Sequence, residues 1–365
     1  MSTAAKPPRA AKVRHAATLA DVGREAGVSA MAASAVLNGA RTSSRIAEET
    51  RSRIVAAAEK LRYRPNATAR ALADRRMNTI GVATTLSGSE LNQYFLEVFN
   101  GVLEAAAAAG QNTTVFALSD WQEGAQRIPS ICDGRIDGLI LLAPWLKPEA
   151  AAELPEHTPL VAIHANSELA GVLNLESDEE AGAFAMVCHL LSLGHRRILH
   201  LAGPAESVGA QRRIAGYRRA YSEAGLKPPA QHVKHGDFSA ESGRRSLEEW
   251  LQSQQGKALP DVIFAASDAI ALGGLETLTA RGLRVPVDVS LVGFDGTLLA
   301  RSAHLATVRQ PLRELGNRAV EQLMARIDAK HRDAPYRLPN TIILPTQIVS
   351  GATLSAPRQQ PLIIT

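Results

Sequence analysis

Residues 28–38, with the sequence VSAMAASAVLN, predict the second of two short helices that meet at a tight turn. Gly27 breaks the helix ahead of this stretch, and Ser29 stands where its side chain can cap the helix that follows. The apolar residues that face each other across the turn recur at helical spacing: Leu19, Val22 and Ala26 before it, and Ala33, Val36 and Leu37 after it. Two helices arranged in this way form a helix-turn-helix.

A third amphipathic segment, residues 48–61, predicts the helix that closes a three-helix core. Its apolar face holds Ile54, Ala58 and Leu61 at i, i+4 and i+7, and Pro65 ends it because the residue before a proline resists helical geometry. The outer face of the second helix, where base edges would be met, holds Ala30, Met31, Ser34 and Ala35. Periodicity alone leaves another interpretation open, namely a small helical cap that does not bind nucleic acid.

Charge is distributed unevenly along the chain. Residues 1–76 carry 15 Lys and Arg against 6 Asp and Glu, whereas residues 77–365 carry 25 against 30. A merely solvated surface would mix the two signs. A basic excess confined to the segment with the helix pair therefore indicates a module that binds phosphate groups.

Several short strings follow one another in this first segment: 18–22 (TLADV), 26–29 (AGVS), 36–38 (VLN) and 63–66 (YRPN). In this order they resemble the LacI/GalR family of bacterial transcription regulators. The family commonly has Thr-Val-Ser-Arg where this chain has Ala-Ala-Ser-Ala at 32–35, so an Arg able to read guanine is missing and base readout is expected to be mostly apolar. The resemblance implies DNA contacts from Thr18, Ser29, Ala30, Met31, Ser34, Ala35, Asn38, Thr50, Tyr63, Asn66, Ala69 and Leu72.

The segments on either side of residues 18–65 are predicted to need a partner before they order. Residues 1–17 hold four basic residues and no acid, which predicts a disordered basic arm that either contacts phosphates or is a plain solvated tail. Residues 66–78 are predicted to be a hinge helix and linker, in which the helix-forming stretch 66–74 is too short to be stable alone. In the family that the chain resembles, this hinge helix folds in the minor groove, where Leu72 would wedge between base pairs. A plain linker is the alternative.

From Thr79 onward, buried apolar runs alternate with amphipathic helices. The expected strands are 80–83, 114–117, 138–142, 160–163, 198–201, 262–265 and 289–293, and the expected helices are 94–109, 179–193, 212–224, 240–251 and 269–281. Such units predict two doubly wound parallel-sheet subdomains in residues 79–350, since roughly 290 residues fit two sheets better than one. Crossings between them are expected near residues 175, 305 and 340. Residues 351–365 are expected to be a C-terminal tail without the heptads of a coiled coil.

Residues 79–350 are similar to the periplasmic-binding-protein-like effector domain of the same family. The best-matched strings include 193–198 (LGHRRI), 213–217 (RIAGY) and 292–295 (VGFD). By position in these strings, Arg213 at the opening of a helix and Asp295 directly after a strand match the family's effector-binding pair. Both should face a cleft beyond the strand ends, where an Arg fork and a carboxylate suit sugar hydroxyls or a polar ring. A structural salt bridge between these two side chains is the alternative.

Weaker candidates line the same cleft by the same resemblance. Ser267 stands where Asn is usual and His164 stands where an acid is frequent, so the ligand is expected only to be a small polar molecule, a sugar or a related metabolite. The full set of these weaker candidates is Tyr94, Phe95, His164, Phe238, Ser267 and Asp268.

Signals for other functions are poor. The sequence holds no phosphate loop ending in Lys-Ser/Thr, no Gly-x-Ser-x-Gly and no paired histidines on a helix, so no enzymatic activity, cofactor or metal is expected. Cys132 and Cys188 are solitary and are expected to be reduced and buried. No apolar run approaches the length of a membrane span or of a signal-peptide core.

Together these patterns predict a cytoplasmic homodimeric repressor that binds a palindromic double-stranded operator and responds to a small polar effector. The first alternative is a soluble solute-binding protein without DNA activity, against which the basic first segment argues. The second is an α/β enzyme with a DNA-binding cap, which a comparison of substrate turnover with operator binding would separate.

Overall fold

The computed structural model describes residues 16–38, 46–65, 71, 76–85, 92–335 and 339–364. It separates the chain into two compact units, Met1–Met77 and Asn78–Thr365. Parts of the predicted DNA-binding segment lie outside the described residues: positions 1–15 of the predicted basic arm, positions 39–45, and Asn66, Ala69 and Leu72 of the predicted hinge.

The first unit contains the three predicted helices, which are α1 (Leu19–Ala26), α2 (Ala30–Asn38) and α3 (Glu48–Lys60). Each helix contributes a fully buried apolar side chain, namely Val22, Ala33 and Ile54. These three belong to a single cluster, so the helices share one small core.

Local chemistry fixes the ends of these helices. Thr18 Oγ1 accepts the Asp21 N–H at 3.3 Å, while the Asp21 carboxylate accepts the Thr18 N–H at 3.0 Å, so each caps the other at the start of α1. Gly27 ends α1 with a left-handed φ of 69°, as its place in the sequence predicts. Ala47 begins α3 without a side-chain cap. Gly23 was not predicted to matter, yet a Cβ there would lie 2.7 Å from the Val28 carbonyl oxygen, so the tight turn requires glycine.

The second unit is built on twelve described strands, which are β1 (Thr79–Thr85), β2 (Asn112–Leu118), β3 (Gly138–Leu142), β4 (Leu160–Ile163), β5 (Leu173–Ser177), β6 (Ile198–Leu201), β7 (Val233–Lys234), β8 (Val262–Ala265), β9 (Ser290–Asp295), β10 (Ala306–Arg309), β11 (Thr341–Leu344) and β12 (Gln347–Val349). They form two six-stranded sheets, in the orders β11-β5-β4-β3-β1-β2 and β12-β10-β9-β8-β6-β7. The pairings are parallel, as predicted, except that the edge strand β12 runs antiparallel to β10.

Helices cover both sheets, and their bounds are α4 (Gln93–Ala108), α5 (Trp121–Gly124), α6 (Ile128–Ile131), α7 (Pro148–Ala152), α8 (Glu179–Ser192), α9 (Val208–Glu223), α10 (Ala240–Ser253), α11 (Asp268–Ala280), α12 (Leu298–Ser302) and α13 (Leu312–His331). The first sheet packs one face on α4 and α13 and the other face on the short helices α5 and α6. The second sheet lies between α8 with α9 and α10 with α11. Two sheets, each with a core on both faces, confirm the doubly wound fold.

The chain passes three times between the two subdomains. It crosses from β5 to α8, from β10 to α13 and from β11 to β12. The sequence predicted no helix at α13, although it has 20 residues and supplies Leu315 and Leu323 to the core of the first subdomain.

Most element boundaries shift by one to four residues from those expected, and two of these shifts concern site residues. The side chain of Ser207 accepts the Ala210 N–H, so α9 begins at Val208 and Arg213 lies in its second turn and does not open the helix. Asp295 is the last residue of β9 and does not follow the strand.

Residues 351–364 pack on the second subdomain, which corrects the expectation of a separate tail. Ile364 is buried in the core of the second sheet, and Ile363 pairs with Ala258. Arg358 donates to the carbonyl oxygen of Leu259 at 2.8 Å. This segment therefore belongs to the folded domain.

Two further expectations concern cysteines and membranes. Cys132 is buried, but Cys188 is only half-buried, because it lies on the partly exposed side of α8. Among the described helices, none combines the length and the apolar character that crossing a membrane would require.

Candidate functional site

A cavity of about 780 Å³ lies between the two subdomains of the second unit, at the carboxyl ends of their strands. Aromatic rings form much of its wall: Tyr94, Phe95, Trp121, Trp145 and Phe238. Its carboxyl, imidazole and guanidinium side chains are Glu179, Asp237, Asp295, His164, Arg212 and Arg213. The volume falls in the usual range for a small-molecule site.

Backbone strain is concentrated at this cavity. Ala143, His164 and Asp295 stand at the ends of β3, β4 and β9 and have positive φ values of 51°, 50° and 116°. Each such conformation costs roughly 1–3 kcal/mol in a residue other than glycine. Strain held at three neighbouring strand ends is typical of a functional site.

Arg213 meets a carboxylate that the sequence analysis did not single out. Its Nη2 donates to Glu179 Oε1 at 2.6 Å, whereas its Nη1 lies 4.0 Å from Asp295 Oδ1. Nη1 donates instead to the Ala266 carbonyl oxygen. The structure therefore brings Arg213 and Asp295 to one wall, as predicted, but the direct ion pair is between Arg213 and Glu179.

A chain of hydrogen bonds joins the two subdomains behind the cavity. The Ser177 N–H donates to His164 Nε2 at 3.0 Å, so the neutral imidazole carries its proton on Nδ1 and donates it to Tyr94 Oη at 2.5 Å. The Ser177 hydroxyl donates to Gln310 Oε1, and Gln310 Nε2 donates to Asp295 Oδ1 at 2.7 Å. Because the Tyr94 oxygen accepts from His164, its own hydrogen can be offered to a ligand.

Burial sets the protonation of these groups. Burial, with a smaller effect of Arg213, lowers the pKa of His164 to about 4, against the pull of Glu179, which keeps the imidazole neutral near pH 7. Burial raises the pKa of Asp295 to about 8, against the opposing pull of Arg213. For Glu179, burial acts to raise the pKa, but the charge and hydrogen bond of Arg213, with the charge of Arg212, outweigh it and hold the pKa below its usual range. The wall therefore combines an ionised carboxylate with a carboxyl group that keeps its proton.

The other predicted cleft residues divide into two groups. Tyr94, Phe95, His164, Phe238 and Ser267 line the cavity, and Ser267 also caps α11 by accepting the Ile270 N–H at 3.1 Å.

Asp268 is a correction to the predicted site. Its carboxylate accepts from the Thr297 N–H at 2.7 Å and from the Thr307 hydroxyl at 2.7 Å. Both of its oxygens are used to tie α11 to the ends of β9 and β10, so it holds the second sheet together and does not line the cavity.

The structure adds wall residues that sequence reasoning missed. Two of the three Trp residues, Trp121 and Trp145, line the cavity, and Trp145 could have been found because it follows the predicted strand 138–142. Asn166 Oδ1 accepts the Val208 N–H at 3.1 Å and so links the two subdomains across the cavity mouth. Glu179 and Gln310 gave no local signal, because their partners lie far away in the sequence.

The first unit presents the predicted DNA-binding face on α2. Ala30 and Met31 are exposed, Met31 to 75%, and Ser34 and Ala35 are half-buried. Ser29 caps α2 through the Ala32 N–H at 3.2 Å, and Ser34 Oγ accepts from Asn38 at 3.2 Å. Thr50 and Tyr63 are half-buried, and the Thr18 hydroxyl is used by its cap. An apolar, uncharged outer face agrees with the missing Arg, while the individual DNA contacts stay predictions.

Comparison with known proteins gives two family matches. Residues 18–66 match the description "Bacterial regulatory proteins, lacI family", and residues 187–354 match "Periplasmic binding protein-like domain". The two matches fall on the three-helix unit and on the cavity-bearing unit, respectively.

Similar proteins cover nearly the whole chain. The HTH-type transcriptional repressor PurR of Aliivibrio salmonicida (strain LFI1238) is 32% identical over 324 residues, which is 87% of this chain and 94% of that protein. A structure of the lac repressor dimer bound to operator and the anti-inducer ONPF has a TM-score of 0.78 and 29% identity, over 93% of this chain and 99% of that one. The complex of the transcriptional regulator CelR with cellobiose has a TM-score of 0.67 and 27% identity, over 92% and 99%.

A helix-turn-helix unit joined to a ligand-cavity unit defines a DNA-binding regulator controlled by a small molecule. The chain belongs to the LacI family of bacterial regulatory proteins. It is a transcriptional repressor and not an enzyme, and the solute-binding alternative is not favoured.

Proposed function

We propose that the chain binds a palindromic operator as a homodimer and that a small, polar, sugar-like effector in the cavity controls its affinity for that operator. The observation that carries the effector proposal is the wall itself, where polar groups that can donate and accept hydrogen bonds stand among five aromatic side chains. The cellobiose complex of CelR, a regulator of similar structure, supports a sugar-like ligand.

The effector is proposed to act by changing how the two subdomains close on each other. The hydrogen-bond chain from His164 through Gln310 to Asp295 and the contact of Asn166 with Val208 both span the subdomains at the cavity. A ligand that rearranges these contacts shifts the balance between closed and open forms, and the hinge at residues 66–78 would pass that shift to the DNA-binding unit.

The dimer proposal follows from the size of the DNA-binding unit. One such module contacts a single half-site, and two-fold dimers match palindromic sites. The lac repressor of similar structure is a dimer on its operator, which supports the same assembly here. The proposed place of action is the cytoplasm, where the operator DNA lies.

Selection of bound DNA from a random pool tests this function. We expect enrichment of an inverted repeat and, in sedimentation at micromolar concentration, a dimer. A stable monomer, a non-palindromic site or no enrichment would contradict the proposal. Screening neutral sugars and related metabolites against the selected complex then identifies the effector, and the sign of the change in operator affinity shows whether it induces or co-represses.

Leu72 tests the proposed hinge. Leu72→Ala should weaken binding to the selected operator more than binding to random DNA, because a wedge between base pairs acts only when the hinge is seated. Fluorescence anisotropy with both DNAs measures the two losses, and Leu72→Ile, which keeps an apolar wedge, serves as the control. Equal losses on both DNAs would remove the hinge assignment.

A further inference from the structure

Glu179 occupies the position on Arg213 where an anionic ligand would bind. Glu179 is the first residue of α8, and its Oε1 lies 2.6 Å from Arg213 Nη2, with both side chains about 95% buried. The guanidinium carbon of Arg213 lies 4.1 Å from the centre of the Phe294 ring and 5.3 Å from that of Phe238. Both rings lie within cation–π distance of the guanidinium, and these contacts help to hold it beside Glu179.

The neighbouring helix leaves room for this carboxylate. A Cβ built on Gly209 of α9 would lie 2.6 Å from Glu179 Oε1 and 3.1 Å from Oε2. A side chain at 209 would require the Glu179 carboxylate to shift from this position. Glycine at 209 therefore leaves the space that the Glu179 carboxylate occupies.

The other cation of the cavity is also paired. Arg212 Nη1 lies 2.9 Å from Glu176 Oε2 and 3.7 Å from Glu179 Oε2. Arg212 and Arg213 are the lysine or arginine residues among the described lining. Asp237 and Asp295 add acidic groups to the same wall. An incoming carboxylate or phosphate would meet these acids, and both arginines of the described lining are already paired with glutamates.

We propose that Glu179 determines the charge of the effector: it fills the anion site on Arg213, so the cavity accepts an uncharged ligand with hydroxyl or amino hydrogens and rejects carboxylates and phosphates. The proposal rests on the proposed function only in taking this cavity as the effector site. Glu179 is a specificity-determining residue, because its free oxygen can accept from a neutral ligand while its charge repels an anionic one.

Acetate, a carboxylate of side-chain size, is the probe for this proposal. Thermal unfolding of the full-length protein is followed in sodium acetate and in sodium chloride at equal ionic strength. The wild type should show only the generic stabilisation that acetate gives any folded protein by exclusion from its surface. Glu179→Ala should melt lower in chloride and regain about 2–4 °C in acetate, because acetate enters the space beside Arg213 and binds only the folded state.

Glu180→Ala is the matched control. Glu180 also pairs with an arginine, Arg219, at 2.6 Å, but that pair is exposed, so its loss should create no acetate response. Glu179→Ser repeats the measurement with a small polar residue in case the alanine variant does not fold. The wild type provides a further test, since its shift in acetate should be no larger than that of Glu180→Ala.

Two results would overturn the proposal. One is a stabilisation of the wild type by acetate that exceeds that of Glu180→Ala, and the other is a Glu179 variant that responds to acetate no more than Glu180→Ala does. None of these measurements uses DNA. If the protein selects no operator but shows the expected acetate response, the proposed function is wrong while the inference about Glu179 still holds.

Discussion

Arg213 and Glu179 are two buried charges that depend on each other. Removal of the Arg213 side chain would leave the Glu179 carboxylate buried without its ion-pair partner. We expect Arg213→Ala to lower the free energy of unfolding by about 3–5 kcal/mol, because an unpaired buried charge is costly. The double variant Arg213→Ala with Glu179→Ala should lose much less than the sum of the two single losses.

Denaturant unfolding of the wild type, both single variants and the double variant measures this coupling. The ion pair between Arg219 and Glu180 is exposed, so the matched cycle of Arg219→Ala and Glu180→Ala should show a coupling energy of less than about 1 kcal/mol. Additive losses at Arg213 and Glu179 would show that the two charges are independently solvated in the folded protein.

Asp295 predicts a dependence of stability on pH. Burial raises its pKa to about 8 from a usual 3.8, and burial likewise raises the pKa of Asp268 to about 6. Between pH 3.8 and about pH 8, Asp295 has lost its proton in the unfolded chain but keeps it in the folded chain. The stability that this group contributes is therefore full below about pH 4 and is lost as the pH rises through 8. The loss is roughly 1.4 kcal/mol for each pH unit within that window.

Asp295→Asn should therefore flatten the fall of melting temperature between pH 6 and pH 9, since the amide resembles the protonated acid and does not titrate. Asp237→Asn makes the same chemical change at an exposed acid of the cavity and should leave the slope unchanged. A slope that stays steep in Asp295→Asn would mean that Asp295 is ionised in the folded protein.

Individual site residues were predictable where a motif fixed their position. Arg213 and Asp295 lie in strings that resemble a known family, and the structure places both on the cavity wall. Glu179 could not be found in this way, because its contact with Arg213 joins residues 34 apart through the packing of α8 on α9. Asp268 was misassigned because position in a motif does not say which way a side chain turns.

At the scale of elements, α11 is held against α10 by a glycine. A Cβ on Gly273 would collide with the Ala240 carbonyl oxygen, whereas a Cβ on the next residue, Gly274, would meet only Leu247 at 3.6 Å and Leu201 at 3.9 Å. Gly273→Ala should therefore destabilise the protein by about 1–3 kcal/mol through overpacking. Gly274→Ala should be neutral or stabilise it by up to about 1 kcal/mol, because alanine favours helix.

Urea unfolding measures the stability of Gly273→Ala and Gly274→Ala, which make the same chemical change at neighbouring positions of one helix. Similar effects at both positions would indicate that α10 and α11 can move apart at little cost, contrary to the close approach in the structure.

Most long helices and central strands were predictable from the sequence, whereas the edge strands of the two sheets were not. Buried parallel strands such as β3 and β4 are unbroken apolar runs bounded by turn residues, which is a strong local signal. The helix α13 also carries such a signal, although it was not predicted: Leu312, Leu315, Ala319 and Leu323 recur at helical spacing. The two-residue β7 and the antiparallel β12 carry no such pattern, because edge strands are short and are set by the strand beside them.

At the scale of the whole molecule, the chain divides between Met77 and Asn78. Each unit has its own core, so a fragment of residues 78–365 should fold, bind the effector with unchanged affinity and fail to bind the selected operator. Calorimetry of the fragment and the full chain, with operator binding measured in parallel, checks this. A fragment that unfolds, or one that keeps operator affinity, would contradict the division.

The order of the strands and helices also has a consequence for the growing chain on the ribosome. The first subdomain begins at Thr79, yet α13 and β11, which complete its core and its sheet edge, are translated only after most of the second subdomain. At typical elongation rates the apolar face that α13 covers stays uncovered for on the order of ten seconds. We expect nascent chains arrested before residue 312 to bind chaperones through this face, and protease resistance of the first subdomain to appear only after α13 has left the exit tunnel.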